Sequence, residues 1–127
     1  LYTAGRSLQA AQRDPGAAGP QSRCAGDRAG RGLCCAAEIM SACCEGIALA
    51  AEYVEKGSVM AVSDAGCAAL FCKAALQAAG LNVSINTRLM ADKAHAAALN
   101  AQADAMLAEF VPQADQIYEK LTHSLRG

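Results

Sequence analysis

Two short polar clusters in an alanine-rich chain hold the residue types that proton transfer and heterocycle binding require. The first is Ser63–Asp64, in "VSDAGCAAL". A carboxylate among Ala65, Gly66, Cys67, Ala68 and Ala69 has room beside it for a ligand. The same two residues also read as a helix start, with Ser63 as N-cap and Asp64 opposing the helix dipole in the first turn. The second cluster is Asn82 and Asn86, in "LNVSIN". Asparagine is a poor helix-interior residue. At i, i+4 both amides point the same way. Together they can hold a flat, polar, heteroaromatic ligand, or instead make an interhelical hydrogen bond and a C-terminal cap.

The other reactive residue types are less informative. Seven cysteines are present, an odd number, and four of them form two adjacent pairs (Cys34–Cys35 and Cys43–Cys44). No C-x-x-C occurs, and neither His95 nor His123 stands at a zinc-finger spacing from a cysteine. The expectation is therefore that most are small buried apolar thiols, with a metal site or a disulfide frame as the alternative; no metal and no prosthetic group is expected. Both histidines read as exposed or capping residues. No phosphate-binding glycine loop and no nucleophile elbow is present.

The elements that must position these residues are helices. The 127 residues suffice for one modest domain, and a composition 54% hydrophobic but only 4% aromatic favours helices packed through small side chains. Ile39, Cys43, Ile47, Ala50 and Val54 recur at three-to-four spacing and predict a helix over 34–56. Lys56 followed by Gly57 is a stop signal. A second helix is predicted over 64–87, with Cys67, Phe71, Ala74, Ala78, Leu81 and Ile85 as its apolar stripe. Ala68, Ala75, Ala79 and Asn82 line a small-residue face beside it, and Gly80 marks a close backbone crossing. A third helix is predicted over 92–124, opened by Asp92, with Leu99, Ala103, Met106, Phe110, Ile117 and Leu121 facing inward. Pro112 is expected to kink or split it near Val111. The result is an all-α, antiparallel up-down bundle of about three long helices. Such a core is thin, so oligomerisation or further helices are expected to complete it.

Residues 1–33 differ from the rest. Six of the eleven glycines and two of the three prolines fall there, with Arg6, Arg13, Arg23, Arg28 and Arg31 against Asp14 and Asp27. Few large apolar residues offset the ordering entropy, so this stretch reads as irregular, with the helical domain over 34–127. It fits a flexible leader, an arginine-rich transit segment, or sequence foreign to the domain. The chain begins with leucine, as a fragment would, and shows no signal peptide. A net charge of −1 and a pI near 6.1 give no reason to expect nucleic acid. Apolar runs break before the ~18 residues of a membrane span. A cytoplasmic location, with neither nucleic acid nor membrane as partner, is the expectation.

Residues 52–90, "EYVEKGSVMAVSDAGCAALFCKAALQAAGLNVSINTRLM", resemble the closing half of the formiminotransferase-cyclodeaminase C-terminal family. The shared order is a lysine-glycine turn, Ser-Asp-x-x-x-Ala, a small-residue helix, Asn-Val-x-Ile-Asn, and a last long helix. The resemblance covers about residues 36–124. It implies an all-α fold, dimeric or higher, acting on a tetrahydrofolate derivative. The implied reaction is cyclisation of 5-formimidoyltetrahydrofolate to 5,10-methenyltetrahydrofolate with loss of ammonia, or hydrolysis of the methenyl bridge. Either needs a proton carrier near neutral pH and polar contacts to the pterin. The resemblance places Asp64 at the ligand as polar anchor or secondary proton carrier, with Ser63, Asn82 and Asn86 as binding residues. The family's usual catalytic aspartate stands in an acidic helix further upstream, and residues 1–33 hold no match to it, so the resemblance implies an incomplete copy. A helical self-association module without chemistry is the alternative reading.

Overall fold

In a computed structural model, residues 28–58 and 60–127 are described. They form three helices, α1 (Arg28–Lys56), α2 (Val62–Arg88) and α3 (Lys93–Arg126), and no strand. The expected all-α bundle is therefore the architecture found. The region 1–27, with most of the arginine- and glycine-rich stretch, lies outside the described residues.

The helices alternate in direction. Gly32 lies against Asn86 and Gly46 against Cys72, so α1 and α2 run antiparallel. Gly66 lies against Leu121, Lys73 pairs with Asp115, and Gly80 lies against Leu107, so α2 and α3 run antiparallel as well. Glu55 meets Lys120 at one end, where α1 and α3 run side by side. Helix α2 is central, with most of the packing on its two sides and the lightest contact between α1 and α3.

Small residues set the spacing. Met40, Ile47 and Leu76 are the large apolar side chains that are fully buried, among Ala36, Ala50, Ala69, Ala79, Ala103 and Ala114. Gly80 makes the close crossing expected of it: a Cβ there would stand 3.1 Å from Leu107 Cδ1. Gly57 acts differently from the left-handed cap expected. Its φ is not positive, and its N–H continues the helical pattern to Tyr53 O at 2.7 Å. A Cβ would fall 2.3 Å from that same carbonyl oxygen, so close approach, not handedness, calls for glycine here.

Several boundaries differ from expectation. Helix α1 starts at Arg28, ahead of Cys34, because its first turns pack Leu33 and Ala36 onto the core. Helix α3 runs unbroken through Pro112. That proline sits on the exposed side, where water can take the carbonyl it leaves without a donor. Asp92 caps α3 as expected, its Oδ1 accepting from His95 N–H at 3.0 Å.

The largest departure is in α2. Its buried residues are Gly66, Ala69, Leu76, Ala79, Gly80, Val83 and Thr87. The stripe expected to be buried is exposed, with Phe71 76%, Leu81 74% and Ile85 64% accessible. Helix α2 is apolar on two opposite faces, and spacing alone cannot say which meets the core. Also contrary to the reading from apolar runs, residues 30–56 and 62–88 are each long and apolar enough by composition to cross a membrane. Alanine, cysteine and glycine bridge the large apolar residues there, with few charges between them.

Candidate functional site

The start of α2 is uncapped by side chains. Ala61 takes the N-cap position with no side-chain hydrogen bond, and the helix begins at Val62. Ser63 is therefore inside the first turn and not its cap. Ala65 N–H bonds to Ala61 O at 3.1 Å, which closes that turn through the backbone. Asp64 stays in the first turn, exposed, where the helix dipole favours its charge. No ion-pair partner faces it among the described residues.

At the other end of α2, the two asparagines bond down their own helix. Asn82 Nδ2 donates to Ala78 O at 3.1 Å and Asn86 Nδ2 to Asn82 O at 2.7 Å. Asn82 is exposed and Asn86 half-buried. Asn86 is the better placed for a ligand. It borders a groove of about 380 Å³ shared with Gly30, Leu33, Leu89, Met90, Ala91 and Asp92. Gly32 opens one side of its amide, since a Cβ at Gly32 would already be 3.6 Å from Nδ2. Its Oδ1 keeps free acceptor capacity while its Nδ2 is tied to the helix.

The two clusters are not brought together within one chain. From Asp64 to Asn82 and Asn86 the helix rises about 27 and 33 Å, at about 1.5 Å per residue. One pterin cannot touch both ends. Beside Asn86, Thr87 is buried and locks the end of α2 to α3. Its hydroxyl stands 2.8 Å from Asn100 Oδ1 and 3.1 Å from Ser84 O.

A second concavity was not anticipated. A groove of about 520 Å³ between the end of α1 and α3 is lined by Glu52, Glu55, Lys56, Gln113, Gln116 and Lys120 over an apolar floor of Ala51, Val54 and Ile117. The Lys120 hydrogen bond and charge hold the Glu55 carboxyl below the usual carboxylate range. Its signal in sequence was the polar set Gln113, Gln116 and Lys120 at three-to-four spacing beside the inward Ile117. Both lysines of the groove are paired within it, Lys56 with Glu52 and Lys120 with Glu55, so its polar rim carries no net charge.

The cysteines divide by burial. Cys43 and Cys44 are buried, and burial pushes both thiols up, so they stay protonated at neutral pH. Cys35 and Cys67 are exposed thiols, Cys72 is intermediate, and Cys34 is disulfide-bonded. Cys43 and Cys44 fit the expectation of buried free thiols, and Cys34, Cys35 and Cys67 do not. Among the described residues no three His, Cys, Asp or Glu side chains gather as a metal site.

With this geometry in place, comparison with known proteins defines the class. The formiminotransferase-cyclodeaminase family profile matches residues 29–105, from the first turn of α1 into the middle of α3. The chain belongs to that family. A methenyltetrahydrofolate cyclohydrolase of Methylorubrum extorquens is 38% identical to it over 88 residues. That alignment covers 66% of this chain and 42% of the relative, so the chain spans less than half of the relative's length. No solved structure matches the chain.

Proposed function

We propose that the chain is the helical half of an enzyme domain that opens the 5,10-methenyl bridge of tetrahydrofolate with water. The carrying observation is the family match through Ser63–Asp64 and Asn82–Asn86, together with a relative named for that hydrolysis. In this reaction water adds to the bridge carbon, a proton leaves the water, and the bond to N5 breaks with a proton delivered to that nitrogen. The ring cation supplies much of the electrophilicity, so the protein needs a proton carrier and a polar seat for the pterin. Asn86 Oδ1 is the seat, accepting from the pterin's amino group. Asp64 is an exposed carboxylate about 33 Å away along α2, so it can move a proton for a ligand at Asn86 only from a second chain. Ser63 is exposed beside Asp64 as a further polar contact, and Asn82 supports Asn86 through its carbonyl. Ring closure of the formimino substrate with loss of ammonia needs the same groups, and remains the reaction of the family's deaminase branch.

Binding of 5,10-methenyltetrahydrofolate to the purified chain, followed by calorimetry, tests the reading. Saturable binding that Asn86→Ala weakens by about tenfold, as loss of one buried polar contact does, is the expected result. No binding by a folded, helical chain would sink it. The second reading, a self-association module without chemistry, is favoured by the separation of Asp64 from Asn86 and by the bare apolar face of α2. Under that reading Asn86→Ala alters stability alone.

A further inference from the structure

We propose that Gly32 is the specificity-determining residue of the Asn86 groove: its missing side chain leaves the Asn86 amide open to a flat heterocycle that presents an exocyclic amino group beside a ring nitrogen. The observation is a helical glycine without a packing reason. Gly32 stands in the second turn of α1, exposed, and its φ is not positive. Alanine is the better helix former at such a position. Gly46, Gly66 and Gly80 also stand in helices, and each has a neighbour that takes the space. A Cβ would fall 2.7 Å from Cys72 Sγ, 2.5 Å from Leu121 Cδ1 and 3.1 Å from Leu107 Cδ1, respectively. At Gly32 no described residue is that close. Its Cβ would meet Asn86 Nδ2 at 3.6 Å, Oδ1 at 3.7 Å and Cγ at 3.9 Å, all ordinary contacts. An alanine there would fit, and would gain helix propensity and packing together.

What it would take away is access to the amide. The vacant position lies nearer to Nδ2 and Oδ1 than to Cγ, so a methyl group there would stand across both polar atoms of Asn86. With glycine, the amide faces the groove of about 380 Å³. One N–H of Asn86 is spent on Asn82 O at 2.7 Å, which holds the amide in place. The second N–H and Oδ1 remain, a donor and an acceptor side by side. Such an edge makes two hydrogen bonds at once, to a ring nitrogen that accepts and an amino group that donates, as asparagine does with adenine. Leu33, Leu89 and Met90 line the groove and give apolar sides for the flat ring. Asp92 at the rim has one oxygen committed to the cap of α3, accepting from His95 N–H. The ligand class rests on the folate reading, since a 2-amino-4-oxopteridine ring carries this edge; the part played by Gly32 rests on the geometry of the groove.

The side-chain amide signals of Asn86 report binding in two-dimensional NMR spectra of the whole chain, assigned by their loss in Asn86→Ala. The probe is free 2-amino-4-oxopteridine, without bridge carbon or glutamate. Saturable movement of both signals is expected. Gly32→Ala should weaken that binding by about tenfold, the loss of one such contact, while its melting temperature rises. The same ring without its 2-amino group should bind the unsubstituted chain about tenfold more weakly, and Gly32→Ala should erase that preference. Equal binding by the unsubstituted chain and Gly32→Ala overturns the proposal. So does a lower melting temperature in Gly32→Ala, equal binding of the ring without its amino group, or Asn86 signals that do not move. Binding of the free ring without binding of 5,10-methenyltetrahydrofolate upholds Gly32 in this part and sinks the folate reading. Binding of 5,10-methenyltetrahydrofolate that Gly32→Ala leaves unchanged does the reverse.

Discussion

Thr87 shows how much one hydroxyl can hold in a chain poor in large side chains. It is the buried polar residue among the described ones, and it ties the last turn of α2 to Asn100 of α3 at 2.8 Å. Removing the hydroxyl while keeping the shape leaves the Asn100 oxygen without that donor. Thr87→Val should therefore lower unfolding stability by about 1–2 kcal/mol in urea titration, while Thr87→Ser should lose less. Asn86 is anchored through its neighbour, so Thr87→Val should also loosen the groove beside it. Asparagines spaced four apart were legible in the sequence, but their direction was not. The i, i+4 spacing that lets two amides act together also lets each bond the carbonyl one turn back, and the structure shows the second outcome for both Nδ2 groups.

At the scale of elements, the bundle is fastened at one end by Glu55 of α1 and Lys120 of α3, 2.5 Å apart. Both groups are exposed, so salt screens the pair and its contribution is small. Its sign is still definite. A carboxyl whose folded value is lowered stabilises the fold above its unfolded value, about 4.3 for glutamate, and that contribution is lost as pH falls through the lower folded value. An NMR titration should place the Glu55 carboxyl below the ordinary glutamate range, and Lys120→Ala should return it there. The helices themselves were legible. Asp92, Lys56–Gly57 and the inward series of α3 all mark real ends or faces. Pro112 does not split α3, because its exposed site leaves the orphaned carbonyl to water.

For the whole molecule, three helices leave one apolar face of the central helix in water, an unfavourable state for a monomer. A chain that closes this face with its own copy gains stability by mass action. Its melting temperature should rise with chain concentration in calorimetry, and that dependence should disappear in Ala74→Glu. The chain spans 42% of the length of the relative it matches.

The sequence by itself determined the helical class, the three elements, the family resemblance and the chemical types available at Ser63, Asp64, Asn82 and Asn86. These follow from local periodicity, stop signals and residue identity. Only the tertiary structure decided which face of α2 is inside. Both faces are apolar, and the one inside is the one whose Gly66 and Gly80 admit Leu121 and Leu107 of α3. The separation of Asp64 and Asn86, about 33 Å at about 1.5 Å per residue, already follows from the single helix predicted over 64–87, and the structure keeps that helix unbroken.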